Sequence, residues 1–213
     1  MPELRTIYPP YLWRRVVQFR FQRRFPQTPW LTEPAIRLLD GWIKPDDRGF
    51  EWGSGRSTRW FAKRCAHVTS VDHHKEWYDI VTKQLKEAGL SDKVSYHWVE
   101  CDLTGADEPE THPYAEVINQ HADASLDWIL VDALMRETCM RHAIPKLKPG
   151  GLLILDNANR FVPNRFEDSF ATIHSPRAEP PTPAWKKLLA DLSTWRQMPT
   201  TDGIWDTHFW IKP

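Results

Sequence analysis

Cysteine is scarce in this 213-residue sequence, which contains only three. Cys65, Cys101 and Cys139 are widely spaced and form no CxxC pair, so the sequence predicts neither a disulfide framework nor a zinc knuckle. Chains without such cross-links are typical of reducing compartments, and we expect a cytoplasmic protein.

The chain also has no excess of charge of either sign, because its 28 basic and 28 acidic residues cancel. Total charge therefore does not favour nucleic acid or an anionic membrane as a partner. No apolar run approaches the ~20 residues of a membrane span, and the N-terminus lacks the apolar stretch of a secretory signal. We expect no transmembrane segment. The expected partner is a small molecule, and a homodimer is one possible assembly.

What the sequence does contain is an alternation of short apolar runs with longer amphipathic stretches. The apolar runs predict β-strands at residues 49–53, 67–72, 94–100, 126–132 and 150–157. The amphipathic stretches predict helices at about residues 57–66, 75–89 and 136–147. This alternation is typical of right-handed βαβ units, so we predict an α/β fold, a Rossmann-like doubly wound sheet that is mostly parallel.

The two ends of the chain depart from this alternation. Residues 195–213 predict strand, turn and strand, a C-terminal antiparallel hairpin. Five of the 18 prolines lie between Phe161 and Pro183, which predicts a surface loop. Residues 1–47, rich in aromatic and arginine side chains, are interpreted as an N-terminal helical cap, and residues 48–213 as the α/β domain.

The first predicted strand runs into the pattern E-x-G-x-G, formed by Glu51, Gly53 and Gly55. Glycines at these positions let the backbone approach a ligand closely. Thr58 stands where a dinucleotide fingerprint needs its third glycine, and no lysine follows Gly55, as a phosphate loop would require. The acid at Glu51 suits a cationic, amino-acid-like ligand instead. A plain strand-to-helix turn with a serine cap is the alternative.

Acids also follow the next two predicted strands. Asp72 can accept two hydrogen bonds from a ribose diol, and Trp77 follows where an indole can stack on adenine. Asp102 can accept a hydrogen bond from an adenine amino group. Because open parallel sheets bind ligands at the carboxyl ends of their strands, these acids predict one shared pocket.

Taken in order, the stretches FEWGSG, SVD, ECD, DWILVDA and KLKPGGLLILDN resemble the class I S-adenosylmethionine-dependent methyltransferases over roughly residues 48–213. The resemblance implies S-adenosylmethionine as cofactor, and its cationic sulfonium agrees with the acid at Glu51. The residues implied to contact it are Glu51, Gly53, Ser54, Gly55, Asp72 and Asp102. Further candidates at the same strand ends are Ser57, His73, Trp77, Leu103 and Asp132.

The last two parallel strands supply candidates for the chemistry. Asp132, Asp156 and Asn157 offer oxygen ligands that suit Mg²⁺, and they resemble the ligand set of catechol-type, metal-dependent O-methyltransferases. In that group a lysine near the metal removes a proton, but here only Arg136 follows Asp132 closely. Arginine is a poor base and a good anchor for an anionic acceptor. The catalytic candidates are Asp132, Arg136 and His73, and catalysis without metal is the alternative.

The sequence leaves the methyl acceptor open. O-methylation of a small molecule is the favoured function, with cap aromatics and Trp205 or His208 lining the acceptor side. An RNA methyltransferase would use the basic N-terminus, and a non-catalytic cofactor-binding protein would keep the fold without turnover. Because the whole chain is neutral, the N-terminus is interpreted as a cap over the pocket rather than as a surface for RNA or a lipid headgroup.

Overall fold

The computed structural model describes residues 9–101, 108–163 and 180–213. The strands are β1 (Arg48–Trp52), β2 (His67–Asp72), β3 (Val94–Trp98), β4 (Leu126–Val131), β5 (Leu147–Asp156), β6 (Arg196–Thr201) and β7 (Asp206–Ile211). The α-helices are α1 (Pro9–Arg24), α2 (Glu33–Trp42), α3 (Arg56–Ala62), α4 (Lys75–Glu87), α5 (Pro113–Glu116), α6 (Arg136–Lys146) and α7 (Pro183–Asp191).

The strands form one sheet with the order β3-β2-β1-β4-β5-β7-β6. Strands β1 to β5 pair in parallel, whereas β7 pairs antiparallel with both β5 and β6. The predicted Rossmann-like doubly wound sheet with a C-terminal antiparallel hairpin is therefore confirmed. The strand order reverses between β1 and β4, and ligands of such sheets bind outside the carboxyl ends of the strands at that reversal.

Each face of the sheet has its own apolar core. Helices α2, α3 and α4 bury Leu39, Phe61 and Val81 on one face. Helices α5, α6 and α7 cover the other face, where Met140 and Trp185 are buried. Both faces are thus covered, as expected for parallel strands that are apolar throughout. The division of the chain after residue 47 stays a prediction.

Helix α7, which was not predicted, follows the proline-rich segment. Thr182 caps α7 by accepting a hydrogen bond from the backbone N–H of Trp185 at 3.1 Å. Pro183 occupies the first helical turn. A backbone N–H at this position has no acceptor within the helix, so the lack of an N–H in proline costs no hydrogen bond. Strand β6 continues through Pro199 into the predicted turn, since an edge strand tolerates proline.

All three cysteines are buried, and no disulfide links them. Burial raises the pKa of Cys65 to about 12, so this thiol stays protonated at neutral pH. Within the described ranges, none of the helices has the length and apolar character needed to cross a membrane.

Gly49 allows the indole of Trp128 to lie directly against β1. A Cβ at position 49 would lie 1.9 Å from Cε2 of Trp128, whose ring stacks on Phe61 with centroids 4.0 Å apart. We expect Gly49→Ala to lower the free energy of unfolding by about 1–3 kcal/mol through overpacking, measured by urea unfolding. Gly41→Ala is the control, because a Cβ at this helical position meets nothing within 4 Å. Equal losses in both variants would contradict the prediction.

Candidate active site

The turn between β1 and α3 is held tightly against the neighbouring strands. The N–H of Gly53 donates to the carbonyl oxygen of Val71 at 2.9 Å, and the N–H of Asp132 donates to that of Trp52 at 2.9 Å. Gly53 has a φ of +90°, and a Cβ there would lie 2.2 Å from the carbonyl oxygen of Asp132. Glycine is therefore required where the ends of β1, β2 and β4 converge.

Glu51 lies beneath this turn and is fully buried. Its Oε1 accepts hydrogen bonds from the hydroxyls of Thr58 and Ser70, while Oε2 has no hydrogen-bond partner of good geometry among the described residues. Burial raises the pKa of Glu51 to about 7, although the hydroxyls of Thr58, Ser70 and Ser57 partly oppose the shift. A positive charge above the turn would stabilise the ionised form of this carboxyl.

Asp72, at the end of β2, fixes the shape of the turn. Its Oδ2 accepts hydrogen bonds from the N–H and the hydroxyl of Ser54 at 3.0 and 2.5 Å, and its Oδ1 accepts one from the N–H of His74 at 2.9 Å. The hydroxyl of Ser54 also contacts that of Tyr96 at 2.6 Å, and Nε1 of Trp77 donates to the Ser54 carbonyl at 3.0 Å. Ser54 is thereby hydrogen-bonded to residues of β2, β3 and α4.

A cavity of about 670 Å³, which we call the turn cavity, opens beside this turn. Its volume lies in the range of small-molecule sites, about 300–1,000 Å³. The predicted cofactor residues that line it are Gly53, Ser54, Ser57, Asp72, His73, Trp77 and Asp132. Arg56 and Arg59 of α3 line it as well, although the sequence pattern did not single them out. The structure thus brings most of the predicted cofactor residues together around one space.

A second cavity, of about 600 Å³, lies between α1 and the ends of β4 and β5, and we call it the α1 cavity. Its apolar lining residues are Leu12, Val16, Phe19, Trp30 and Trp205. Its polar lining residues are Arg15, Gln18, Gln22, Asp132, Asp156 and Asn157. Asp132 and Trp30 line both cavities, so molecules bound in the two spaces would meet beside these side chains.

A model of the methyltransferase-domain family matches residues 50–158, which is more than half of the chain. The match includes the turn, Asp72 and Asp132, the residues around which the turn cavity is built. The chain belongs to the class I S-adenosylmethionine-dependent methyltransferases. The comparison with curated proteins gives no match.

Several solved structures share the fold of this methyltransferase. A protein from Corynebacterium glutamicum is 14% identical with a TM-score of 0.60, over 92% of this chain and 88% of its own. A protein from Staphylococcus aureus, assigned as a caffeoyl-CoA O-methyltransferase, is 17% identical with a TM-score of 0.59, over 92% and 91%. A methyltransferase from Geobacter sulfurreducens is 14% identical with a TM-score of 0.56, over 100% and 90%. At these identities the likeness is one of fold.

Two of the three predicted metal ligands of this methyltransferase, Asp132 and Asn157, are hydrogen-bonded to an arginine. Nη2 of Arg136 donates to Oδ1 of Asp132 at 3.0 Å and to Oδ1 of Asn157 at 3.3 Å. Asp156 accepts hydrogen bonds from Nδ2 of Asn157 and from Oγ1 of Thr207, both at 2.7 Å. Among the described residues, no group of three or more His, Cys, Asp or Glu side chains could hold a metal ion. Because Arg136 engages an oxygen of Asp132 and the amide oxygen of Asn157, and both oxygens of Asp156 accept hydrogen bonds from other side chains, this arrangement does not fit the metal.

The two carboxyl groups of this cluster differ in acidity. Burial raises the pKa of Asp132 to about 6, although the charge and hydrogen bond of Arg136 oppose the shift. Burial, together with the nearby charge of Asp132, raises the pKa of Asp156 well above its usual range. Of this interacting pair, Asp132 therefore ionises first as the pH rises.

Of the predicted residues not yet described, His73 and Gly55 have defined positions and two lie outside the described ranges. His73 is half-buried, and its Nδ1 lies 3.8 Å from Oδ1 of Asp72. Gly55, with a φ of +142°, donates its N–H to Oγ1 of Thr58 at 2.9 Å. The predicted Asp102 and Leu103 lie outside the described residues.

Three further residues shape the site, and of these only Trp30 belongs to a predicted group, the cap aromatics expected to line the acceptor side. Thr58 connects Glu51 to the N–H of Gly55, and a hydroxyl seven residues after the acid is the signal that could have found it. The hydroxyl of Tyr96 reaches the turn from the neighbouring strand β3. Trp30 lies at the junction of both cavities, with the guanidinium carbon of Arg56 5.2 Å from its ring centroid. No local pattern marks Tyr96 or Trp30.

Proposed function

We propose that this methyltransferase binds S-adenosylmethionine in the turn cavity and methylates a hydroxyl oxygen of a small molecule in the α1 cavity. The observation that carries the proposal is that Asp132 lines both cavities. A carboxylate at this junction can reach an acceptor hydroxyl on one side while facing the methyl donor on the other. The fold neighbour from Staphylococcus aureus, assigned as an O-methyltransferase, is in keeping with a hydroxyl acceptor.

The donor side would be held by the turn and by Asp72. Gly53 and Ser54 present backbone to the turn cavity, and Asp72 and Trp77 line it from β2 and α4. The buried, incompletely paired carboxyl of Glu51 lies below and favours a cationic group above it. When bound, S-adenosylmethionine supplies an electrophilic methyl group and leaves as a neutral thioether.

The acceptor side suits a molecule with an apolar body and a polar end. Leu12, Val16 and Phe19 of α1 and Trp205 of the hairpin supply apolar lining, whereas the predicted alternative, His208, is buried within β7. The polar end would face Asp132, which is ionised above pH ~6 and accepts the proton of the hydroxyl as the oxygen is methylated. Positioning of the two molecules supplies much of the remaining rate.

In this proposal Arg136 acts as a positioning residue. Its side chain is only 12% exposed, and its guanidinium contacts Asp132 and Asn157. The positive charge keeps the carboxylate oriented and limits the rise of its pKa. An anionic group on the acceptor would instead meet Arg15, which lines the α1 cavity.

The test is a methylation assay with labelled S-adenosylmethionine and a panel of small phenols, alcohols and amines, in excess EDTA or in Mg²⁺. We expect methyl ethers as products and equal rates in both buffers, because Arg136 engages the candidate metal ligands. Loss of turnover in EDTA that Mg²⁺ restores would contradict the metal-free site. Products methylated only on nitrogen or carbon would contradict the hydroxyl acceptor.

A further inference from the structure

Helix α1 presents its apolar side chains to solvent. Its large exposed hydrophobic residues are Leu12, Trp13, Val16, Val17 and Phe19, and Trp13 and Phe19 are 63% and 60% exposed. Its inward side combines Phe21, which packs against the core, with polar contacts. Nη1 of Arg14 donates to the carbonyl oxygen of Asp202 at 3.3 Å, and Nε2 of Gln18 donates to the carboxylate of Asp202 at 3.0 Å. The helix therefore lacks the inward apolar stripe expected of a surface helix on a soluble domain, and its exposed side carries both apolar residues and arginines.

The same helix carries a concentrated positive charge. Its arginines are Arg14, Arg15, Arg20, Arg23 and Arg24, and its sequence contains no acidic residue. Among the described residues, none of these arginines forms an ion pair with a carboxylate. All but Arg14 are exposed. The neutral total charge of the chain thus conceals a local excess on α1.

Two exposed aromatic residues extend this surface beyond the helix. Phe25 follows the last turn of α1 and is 44% exposed. Trp30 is 62% exposed and lines the α1 cavity together with Phe19 of the helix. We call the outward side of α1 with Phe25 and Trp30 the α1 surface. It combines exposed aromatic and aliphatic side chains with exposed arginines.

We propose that the α1 surface docks onto an anionic lipid bilayer. Arginines are attracted electrostatically to anionic headgroups. Their long side chains let the guanidinium reach the headgroup layer while neighbouring apolar side chains enter the boundary with the acyl chains. RNA would meet the arginines and stack on the aromatics, but it would leave Leu12, Val16 and Val17 in water. A second copy docking through the same helix would place like charges against each other. The bilayer is the partner that accommodates both the charge and the aliphatic residues.

The docking would have a geometric consequence for the α1 cavity. Leu12, Val16 and Phe19 belong both to the lining of this cavity and to the α1 surface. Contact with a bilayer would therefore bring the cavity's opening to the lipid headgroup layer. The docking itself rests on exposure and charge and does not depend on methyl transfer.

The test is co-sedimentation of the full chain with vesicles of phosphatidylcholine alone or of phosphatidylcholine mixed with phosphatidylserine. We expect binding to the mixed vesicles that weakens as salt is raised, and little binding to the neutral ones. Arg20→Gln with Arg23→Gln should weaken binding by roughly 30-fold. Lys83→Gln with Lys86→Gln, which removes equal charge from the exposed side of α4, should not.

A second pair of variants tests the apolar contribution. Trp13→Ser with Val17→Ser is expected to weaken vesicle binding at least about tenfold, since these side chains would enter the bilayer. Neither residue lines the turn cavity or the α1 cavity, so unchanged cofactor binding would verify folding. Ile80→Ser, which removes an exposed apolar side chain from α4, is the matched control.

Three results would overturn the proposal. The first is equal binding of the wild-type chain to neutral and anionic vesicles, or binding to neither. The second is salt-sensitive binding to an RNA oligomer that displaces the chain from anionic vesicles. The third is a dimer in solution, measured by light scattering, that Trp13→Ser with Val17→Ser converts to a monomer.

Discussion

Replacing Asp132 by Asn is expected to slow methyl transfer by about 10²- to 10⁴-fold while S-adenosylmethionine binding stays near the wild-type value. The amide keeps an oxygen to accept the hydrogen bond of Arg136, so the geometry of the cluster is retained. What it loses is the ability to accept a proton at the junction of the two cavities. Single-turnover rates and calorimetric titration with the cofactor separate these two effects.

The pH dependence of the wild-type enzyme gives a second readout of the same group. Asp132 must be ionised to act as a base, and its pKa is raised to about 6. We therefore expect kcat/KM to increase as the pH rises through about 6 and then to level off, and we expect this rise to vanish in Asp132→Asn. Asp79→Asn removes an exposed carboxylate from α4 and is expected to retain both rate and profile. A variant at position 132 that kept the rate and the rise would identify another base.

Replacing Gly53 by Ala is expected to weaken S-adenosylmethionine binding at least about tenfold and to lower the free energy of unfolding by about 1–3 kcal/mol. The new Cβ would lie 2.2 Å from the carbonyl oxygen of Asp132, and a φ of +90° is unfavourable for alanine. The turn would have to move away from β4, which changes the lining of the turn cavity. Calorimetry and urea unfolding measure the two losses.

Gly89→Ala separates backbone strain from the steric clash. Gly89 also has a positive φ, +66°, but a Cβ there meets nothing within 4 Å. We expect this control to lose about 1–2 kcal/mol of stability and to bind the cofactor as the wild type does. If both variants lost stability equally and neither lost affinity, the clash with Asp132 would not be what requires glycine in the turn.

The sequence was sufficient for most of the strands and helices along the chain and for the edge of the sheet at which the candidate site was predicted. Apolar runs and amphipathic stretches depend on residues close in the chain, so strands such as β2 were predicted at their observed bounds. Because parallel strands share an edge, Asp72 and Asp132 could be placed near each other before any contact was known. Helix α7 was missed because nearby prolines mask a helix that begins with one.

The chemistry at the end of β4 and β5 was not predictable in the same way. Asp132, Asp156 and Asn157 have the residue types and spacing of a metal site, and the sequence showed Arg136 only as a neighbour along the chain. Whether an arginine engages those oxygens depends on how α6 packs against β4 and β5. The same limit applies to Glu51. Its hydrogen bonds with Thr58 on α3 and Ser70 on β2 depend on how these elements pack around it.

The sequence by itself determined the fold, the glycine turn after β1 and the strand ends that surround the candidate site, since each of these follows from short-range periodicity and from the geometry of parallel sheets. Only the tertiary structure decided that Arg136 engages Asp132 and Asn157, that Asp132 lines two cavities, and that most apolar side chains of α1 are exposed. Those outcomes depend on which distant side chains compete for the same acceptors and the same buried space. Such competition is settled by packing between elements and leaves no mark on local sequence.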